Sequence, residues 1–421
     1  MGEYKIAGGY PLRGSVSVGG SKNAVLPILA ATLLNKGTSV IHNCPMIRDT
    51  AISIAILKAV GCTVTQDGGT ITVNSKTADN NLVPDELVRE MRSSIVFLGS
   101  VLGLFKSATI SYPGGCELGA RPIDLHIKSL RSLGADIKEE GGLIICKADK
   151  LTGAQIFLDM PSVGATENAM LAAVCANGDT VISNAAKEPE IVDLQQFLRG
   201  MGAMITGAGT DEIVIRGVKS LHEAEHTVIP DRIVAGTFLA GAAITGGKIV
   251  LENVIPEHLS VVSHRLCEMG CAVNEYDDAI ELAAPGRLKS LGRLRTQPYP
   301  GFPTDMQPQF MSMLSVADGE SLIEETLFES RSKHINELMR MGANITHLPD
   351  GRTSIIKGVK RLQGATVVSM DLRGGAALIL AGLAAAGKTR VIDSKHIRRG
   401  YENIEGALAS LGAKISYSDQ A

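Results

Sequence analysis

The chain has 421 residues, 41 Lys and Arg against 44 Asp and Glu, a net charge of -3 and a charged fraction of 20%. That length suggests two or three domains, and the charge balance argues against binding to nucleic acid or another polyanion and for a small-molecule partner. Cys44, Cys62, Cys116, Cys146, Cys175, Cys267 and Cys271 include no Cys-x-x-Cys pair, and Met1 to Lys5 lead into no apolar secretory core; a cytoplasmic protein with reduced thiols is expected.

Along the chain one ending recurs: Val60-Gly61-Cys62, Leu133-Gly134-Ala135, Met201-Gly202-Ala203, Met269-Gly270-Cys271, Met341-Gly342-Ala343 and Leu411-Gly412-Ala413. Successive glycines lie 73, 68, 68, 72 and 70 residues apart, which marks a repeated structural unit. Before each ending the same plan is legible. A first helix is predicted after Ser21-Lys22-Asn23, Arg92-Ser93-Ser94, Gly164 to Asn168, Asp231-Arg232, Thr304-Asp305-Met306 and Asp371-Leu372-Arg373. A second begins near Arg48-Asp49, Arg121 to Asp124, Lys187 to Glu190, Pro256-Glu257-His258, Ser330-Arg331 and Arg398-Arg399. A β-branched strand such as Thr180 to Ser183 separates the helices, and two alternating strands follow the second. Helix alternating with strand implies α/β layers. Six units favour two halves of three, with a seam near His226 to Pro230; how helices and sheets nest is left open. The longest apolar helical run, Ala376 to Ala386, is short of the about 20 residues that cross a bilayer.

Residues just ahead of a helix meet its free N–H groups and positive end, which attract anions. Those segments carry Lys22, Arg92, Arg121, Arg331, Arg373 and Arg399. Arginine grips carboxylate and phosphate bidentately, whereas lysine acts as a point charge. Halves facing each other across these loops would suit a ligand bearing both groups.

Two motif matches mislead. His222-Glu223-Ala224-Glu225-His226 fits a zinc-protease pattern, but its surroundings are strand-like and Pro230 follows closely, so no metal is expected. Gly382 to Thr389 fits the P-loop spacing, yet it runs helix, glycine stop, strand, the reverse of a phosphate cradle. The informative loop is Pro113-Gly114-Gly115-Cys116-Glu117-Leu118-Gly119-Ala120-Arg121-Pro122. Its glycines let it bend, and a nearby guanidinium favours the Cys116 thiolate. Asp305, in Phe302-Pro303-Thr304-Asp305-Met306-Gln307, is either a helix N-cap or a general base.

Taken with Gly20 to Ala24, Ser162 to Thr166, Lys187 to Asp193, Pro230-Asp231-Arg232, Asp371-Leu372-Arg373 and Arg399 to Glu402, these segments resemble the UDP-N-acetylglucosamine 1-carboxyvinyltransferase family of enolpyruvyl transferases. The resemblance spans essentially the whole chain. It implies a two-domain inside-out α/β barrel of the EPSP synthase type, six βαβαββ units, three per domain. It assigns 22–229 to a lobe carrying the Cys116 loop, and 1–21 with 230–421 to a lobe carrying Asp305, with the active site in the cleft.

The implied substrates are phosphoenolpyruvate and UDP-N-acetylglucosamine, with no cofactor, metal, nucleic acid or membrane. The implied reaction gives the 3-O-enolpyruvyl ether and phosphate through a tetrahedral ketal. Cys116 would be the general acid at the methylene carbon and the target of epoxide phosphonates; Asp305 would take the sugar proton. Lys22, Arg121 and Arg399 would hold phosphate, and Arg331, Arg373 and Arg399 the carboxylate. Asn23, Arg92, the run Arg121, Pro122, Ile123, Asp124, Leu125, the run Ser162, Val163, Gly164, and Leu327 would bind the UDP-sugar. The shikimate-pathway enolpyruvyl transferase is the runner-up; it lacks the Pro-Gly-Gly-Cys loop. Val96 and Gly374 depart from the family's usual aromatic and alanine.

Overall fold

The computed structural model describes residues 2–114 and 122–419. Six helices are predominantly apolar, with no face that is polar along its length: Lys22–Ala31, Phe97–Phe105, Val163–Ala173, Arg232–Thr245, Gln307–Leu314 and Leu372–Ala384. A helix without a polar face has to be enclosed, and nearly all of their residues are buried. The strands alternate, as in Leu143–Lys147 and Lys248–Glu252, where every second side chain is buried. Such strands bury one face and show the other to water. The physical outcome is helices inside and sheets outside.

The described residues fall into two compact units, 20–114 with 122–229, and 2–19 with 230–419. In the first, Phe97–Phe105 packs on both Lys22–Ala31 and Val163–Ala173. In the second, Arg232–Thr245, Gln307–Leu314 and Leu372–Ala384 pack on one another. Each unit has its own continuous hydrophobic core.

The third repeat shows the plan: strand Gln155–Phe157, helix Val163–Ala173, strand Asp179–Ser183, helix Pro189–Gly200, then strands Met204–Thr206 and Glu212–Arg216. Its sheet holds one parallel pair, Gln155–Phe157 beside Asp179–Ser183, and is otherwise antiparallel. The repeats close by borrowing. Ala224–Thr227 runs parallel to Thr38–His42 and completes the first repeat's sheet. Arg13–Ser17 does the same for the fourth, beside Lys248–Glu252. Gly2–Ala7 lies between Lys388–Asp393 and Lys414–Asp419, antiparallel to both, and completes the sixth.

The recurring glycine has a conformational cause. Gly61, Gly134, Gly202, Gly270, Gly342 and Gly412 have φ of 102°, 93°, 92°, 95°, 90° and 92°. Each turns the chain out of a second helix into the next strand through backbone that side chains disfavour. The two misleading motifs resolve as well. Ala224–Thr227 is a strand, with His226 Nε2 2.9 Å from Asp193 Oδ1. Gly382 lies in the helix Leu372–Ala384, and Lys388 opens a strand.

Two predicted helix starts shift. The helices expected at Ser330-Arg331 and Arg398-Arg399 begin at Ile335 and Ile404. Arg331 lies in the preceding turn, and Arg399 ends the 3-10 turn Ile397–Arg399. Lys22 and Arg373 are instead inside the first turn of their helices. The cations thus share the repeat's helix-entry region without sharing one helical position.

Candidate active site

Asp305 sits in the 3-10 turn Thr304–Met306, which runs into Gln307–Leu314; neither start has a side-chain cap. Of the two readings left open, the N-cap is therefore not the one adopted. The carboxylate is gripped by two guanidinium groups. Arg331 Nη1 and Nη2 donate to Asp305 Oδ1, both at 2.9 Å. Arg373 Nε and Nη2 approach Oδ2 at 3.1 and 3.0 Å. The two arginine side chains are 4% exposed and that of Asp305 is 25% exposed. Two buried cations thus face one partly open anion. Their remaining donors Arg331 Nε and Arg373 Nη1 have no hydrogen-bond acceptor among the described residues. Buried N–H groups are rarely left so.

The supports of this clamp lie far apart in sequence. Arg331 Nη1 also donates to the Thr304 carbonyl at 3.0 Å, and its guanidinium lies 5.1 Å from the Phe328 ring centre. Arg373 lies 5.5 Å from the Tyr401 ring, whose hydroxyl is 2.9 Å from Thr237 Oγ1. Burial opposes charge on Arg373, but Asp305, Tyr401 and Asp231 hold its pKa above the usual guanidinium value. Asp371 caps the helix that carries Arg373, its Oδ1 accepting from Arg373 N at 3.0 Å and Gly374 N at 2.8 Å. A Cβ on residue 374 would come within 2.8 Å of Asp371 Oδ2 and 3.1 Å of His334 Cβ. Glycine at this position avoids that crowding. His334 is buried with neither ring nitrogen bonded; burial, with some help from Arg331, lowers its pKa to about 4 against the pull of Asp371.

In the other unit Lys22 Nζ is 3.0 Å from the buried Asp49 Oδ2. Asn23 follows it in the first turn of Lys22–Ala31, and Ser21 Oγ caps that helix through Ala24 N. Arg92 opens the 3-10 turn Arg92–Val96. Pro122 is exposed and Ile123 buried; Asp124 opens the helix Asp124–Ser132, which Leu125 anchors from beneath. That helix packs on Val163–Ala173, which Ser162 caps through Ala165 N. Gly164 makes the approach possible, since a Cβ there would stand 2.8 Å from His126 Cε1. His126 Nδ1 in turn meets Asn168 Nδ2 at 2.7 Å. The 122–125 and 162–164 segments, distant in sequence, are thus brought side by side. Cys116 and Arg121 lie outside the described residues.

Several supporting residues escaped the sequence reading: Asp49, His126, Glu167, Glu325, His334 and Tyr401. Asp49, Glu167 and Tyr401 lay within segments the sequence singled out, at helix entries or in the family-like motifs, but none was given a role. Glu167 is buried, and burial, then Glu190 and Glu188, push its pKa well above the ordinary carboxylate range. Among the described residues no His, Cys, Asp and Glu cluster is arranged to hold a metal, and no helix is long and apolar enough to cross a membrane.

The chain is 52% identical over 415 residues to UDP-N-acetylglucosamine 1-carboxyvinyltransferase 2 of Caldanaerobacter subterraneus subsp. tengcongensis, covering 99% of either protein. It is 54% identical over 419 residues to UDP-N-acetylglucosamine 1-carboxyvinyltransferase 1 of Symbiobacterium thermophilum, covering 98% of this chain and 94% of that protein. This chain belongs to the UDP-N-acetylglucosamine 1-carboxyvinyltransferase family. Residues 6–408 also match the broader family described as EPSP synthase (3-phosphoshikimate 1-carboxyvinyltransferase). The crystal structure of the enolpyruvyl transferase NikO from Streptomyces tendae superposes with a TM-score of 0.89 at 25% identity, covering 100% of this chain and 99% of that one. Members of the carboxyvinyltransferase family are transferases acting on small molecules, and the expected inside-out α/β barrel of six βαβαββ units is the fold of this chain.

Proposed function

We infer that this chain transfers the enolpyruvyl group of phosphoenolpyruvate to the 3-hydroxyl of UDP-N-acetylglucosamine and releases phosphate, as a cytoplasmic step toward peptidoglycan. The observation that carries the reading is Asp305 held between Arg331 and Arg373, whose spare buried donors suit a carboxylate. On this reading residues 22–229 and 230–421 with 1–21 are the two lobes and the reaction runs in the cleft between them. Lys22, Arg121 and Arg399 hold the phosphate; Asn23, Arg92, the 121–125 and 162–164 runs and Leu327 hold the UDP-sugar.

The chemistry follows from charge. An enol phosphate is a poor electrophile until its methylene carbon is protonated, the role assigned to Cys116. The carbon bearing the phosphate then becomes cationic, and the sugar 3-oxygen bonds to it while Asp305 takes the hydroxyl proton. The resulting ketal loses phosphate and a methyl proton, restoring the double bond. Fixed cations around the phosphate stabilise the negative charge that builds on it as it leaves.

Phosphate release measured with each acceptor tests the assignment. Turnover is expected with UDP-N-acetylglucosamine; turnover with shikimate 3-phosphate alone overturns it. An epoxide phosphonate should add to Cys116, and an adduct mapped by mass spectrometry to another cysteine removes Cys116 as the acid.

A further inference from the structure

We propose that Glu325 is a positioning residue for the reaction, fixing the Asp305 turn and the Leu327-Phe328 segment with one buried carboxylate. The inference rests on the reading of Asp305 as the base. Glu325 is 4% exposed and follows the strand Glu320–Glu324. Its Oε1 accepts from Thr296 Oγ1 at 3.0 Å, Leu327 N at 2.9 Å and Phe328 N at 3.2 Å. Its Oε2 accepts from Thr304 Oγ1 at 2.9 Å. A buried carboxylate is tolerated only when its oxygens are supplied with donors, and these four donors come from three separate segments.

Each segment carries part of the proposed site. Thr304 precedes Asp305, and its carbonyl accepts from Arg331. Phe328 supplies the ring beside the Arg331 guanidinium, and Leu327 belongs to the proposed sugar site. The Oε2–Thr304 bond is therefore the link from this carboxylate to the base, while the Oε1 bonds hold the sugar side. An error of about 1 Å in a reacting group can cost on the order of 10²-fold in rate, so a carboxylate that sets the rotation of the Thr304–Met306 turn acts on kcat without touching substrate.

The test separates positioning from plain loop stability. Thr304→Val keeps the shape and removes the hydroxyl. Ser315→Ala is the control: it removes another buried hydroxyl of the same unit, one bonded within its own helix to the Met311 carbonyl at 2.8 Å. Thr304→Val is expected to lower kcat by about tenfold to a hundredfold, with KM for UDP-N-acetylglucosamine within about twofold. Ser315→Ala should lose a comparable amount of Tm and keep kcat. Glu325→Gln, whose carbonyl can serve the Oε1 donors while its amide meets the Thr304 hydroxyl, should keep far more kcat than Glu325→Ala. Wild-type kcat in Thr304→Val, an equal fall in Ser315→Ala, or a Glu325→Gln variant as slow as Glu325→Ala overturns the proposal. A wild-type chain that releases no phosphate with UDP-N-acetylglucosamine is a distinct result; it overturns the functional reading and this inference with it.

Discussion

Asp305 is the residue on which chemistry and geometry meet, since two guanidinium groups need its charge and the reaction needs its lone pair. Asp305→Asn removes the base and leaves Arg331 and Arg373 without their anion. We expect kcat to fall by about 10²-fold or more, the lower end for a general base, while UDP-sugar affinity measured by calorimetry stays within a few-fold. Full turnover would remove Asp305 from the mechanism. The cysteines give a second prediction at this scale. Burial pushes the Cys44, Cys62, Cys146 and Cys271 thiols up to about 12, leaving almost no thiolate at neutral pH. Native-state alkylation should spare all four and reach the exposed Cys267 and the proposed Cys116; early label on Cys44 or Cys146 contradicts the packing. His334 gives the third. Its pKa is near 4 when folded against 6.5 when free, so on lowering the pH the unfolded chain takes up a proton before the folded one does. Its contribution is complete above about pH 6.5 and is lost as the pH falls toward about 4. Urea midpoints between pH 7 and 4.5 should fall less steeply for His334→Phe than for the wild type; parallel slopes would show that the imidazole is not held neutral.

At the scale of elements, helix caps do two jobs that can be told apart. Asp231 caps Arg232–Thr245 through Ile233 N and Val234 N, at 2.8 and 2.9 Å. Asp371 caps Leu372–Ala384 in the same manner, and one of its donors is the backbone of Arg373. Removing either cap should cost about 1 kcal/mol. Asp371→Ala should raise KM for phosphoenolpyruvate more than Asp231→Ala does, because the Asp371 cap holds the Arg373 backbone whereas Asp231 acts on that guanidinium through charge alone. Similar losses of Tm with different KM values would support this division; equal KM values would make the Asp371 cap purely structural. These caps were legible in sequence, since Asp-Leu-Arg and Pro-Asp-Arg precede apolar runs. The Asp305 clamp was not. Residues 305, 331 and 373 look alike as helix-entry polar residues, and only the packing of Gln307–Leu314 against Leu372–Ala384 brings them to one point. Glu325 was hidden for a related reason: in Leu322 to Thr326 it reads as an ordinary polar residue after a strand, and its burial is set by Thr296 and Thr304 from other segments.

For the whole molecule, the repeat was legible because a glycine with φ near 90° is demanded at the same place six times, and nothing but sequence spacing was needed to see it. The nesting of layers was not, since an apolar run reads the same whether its helix lies inside or outside a sheet. Nor could periodicity place Gly2–Ala7, whose neighbours are at 388–393 and 414–419; only the family resemblance pointed there. That placement has an energetic consequence. Tyr4 is fully buried with its ring 4.8 Å from that of Tyr417, in the core of the 230–419 unit and outside that of the 20–229 unit. Tyr4→Ala leaves a large cavity beneath a central strand and should cost about 3–5 kcal/mol. Because each unit buries its own core, the loss should stay local. Hydrogen exchange read by mass spectrometry should show faster exchange in peptides spanning 388–393 and 414–419, and unchanged exchange in those spanning 38–42 and 179–183. Equal acceleration in all four would mean that the two cores unfold as one cooperative body, and that the N-terminal strand stabilises the entire chain rather than the unit whose sheet it completes.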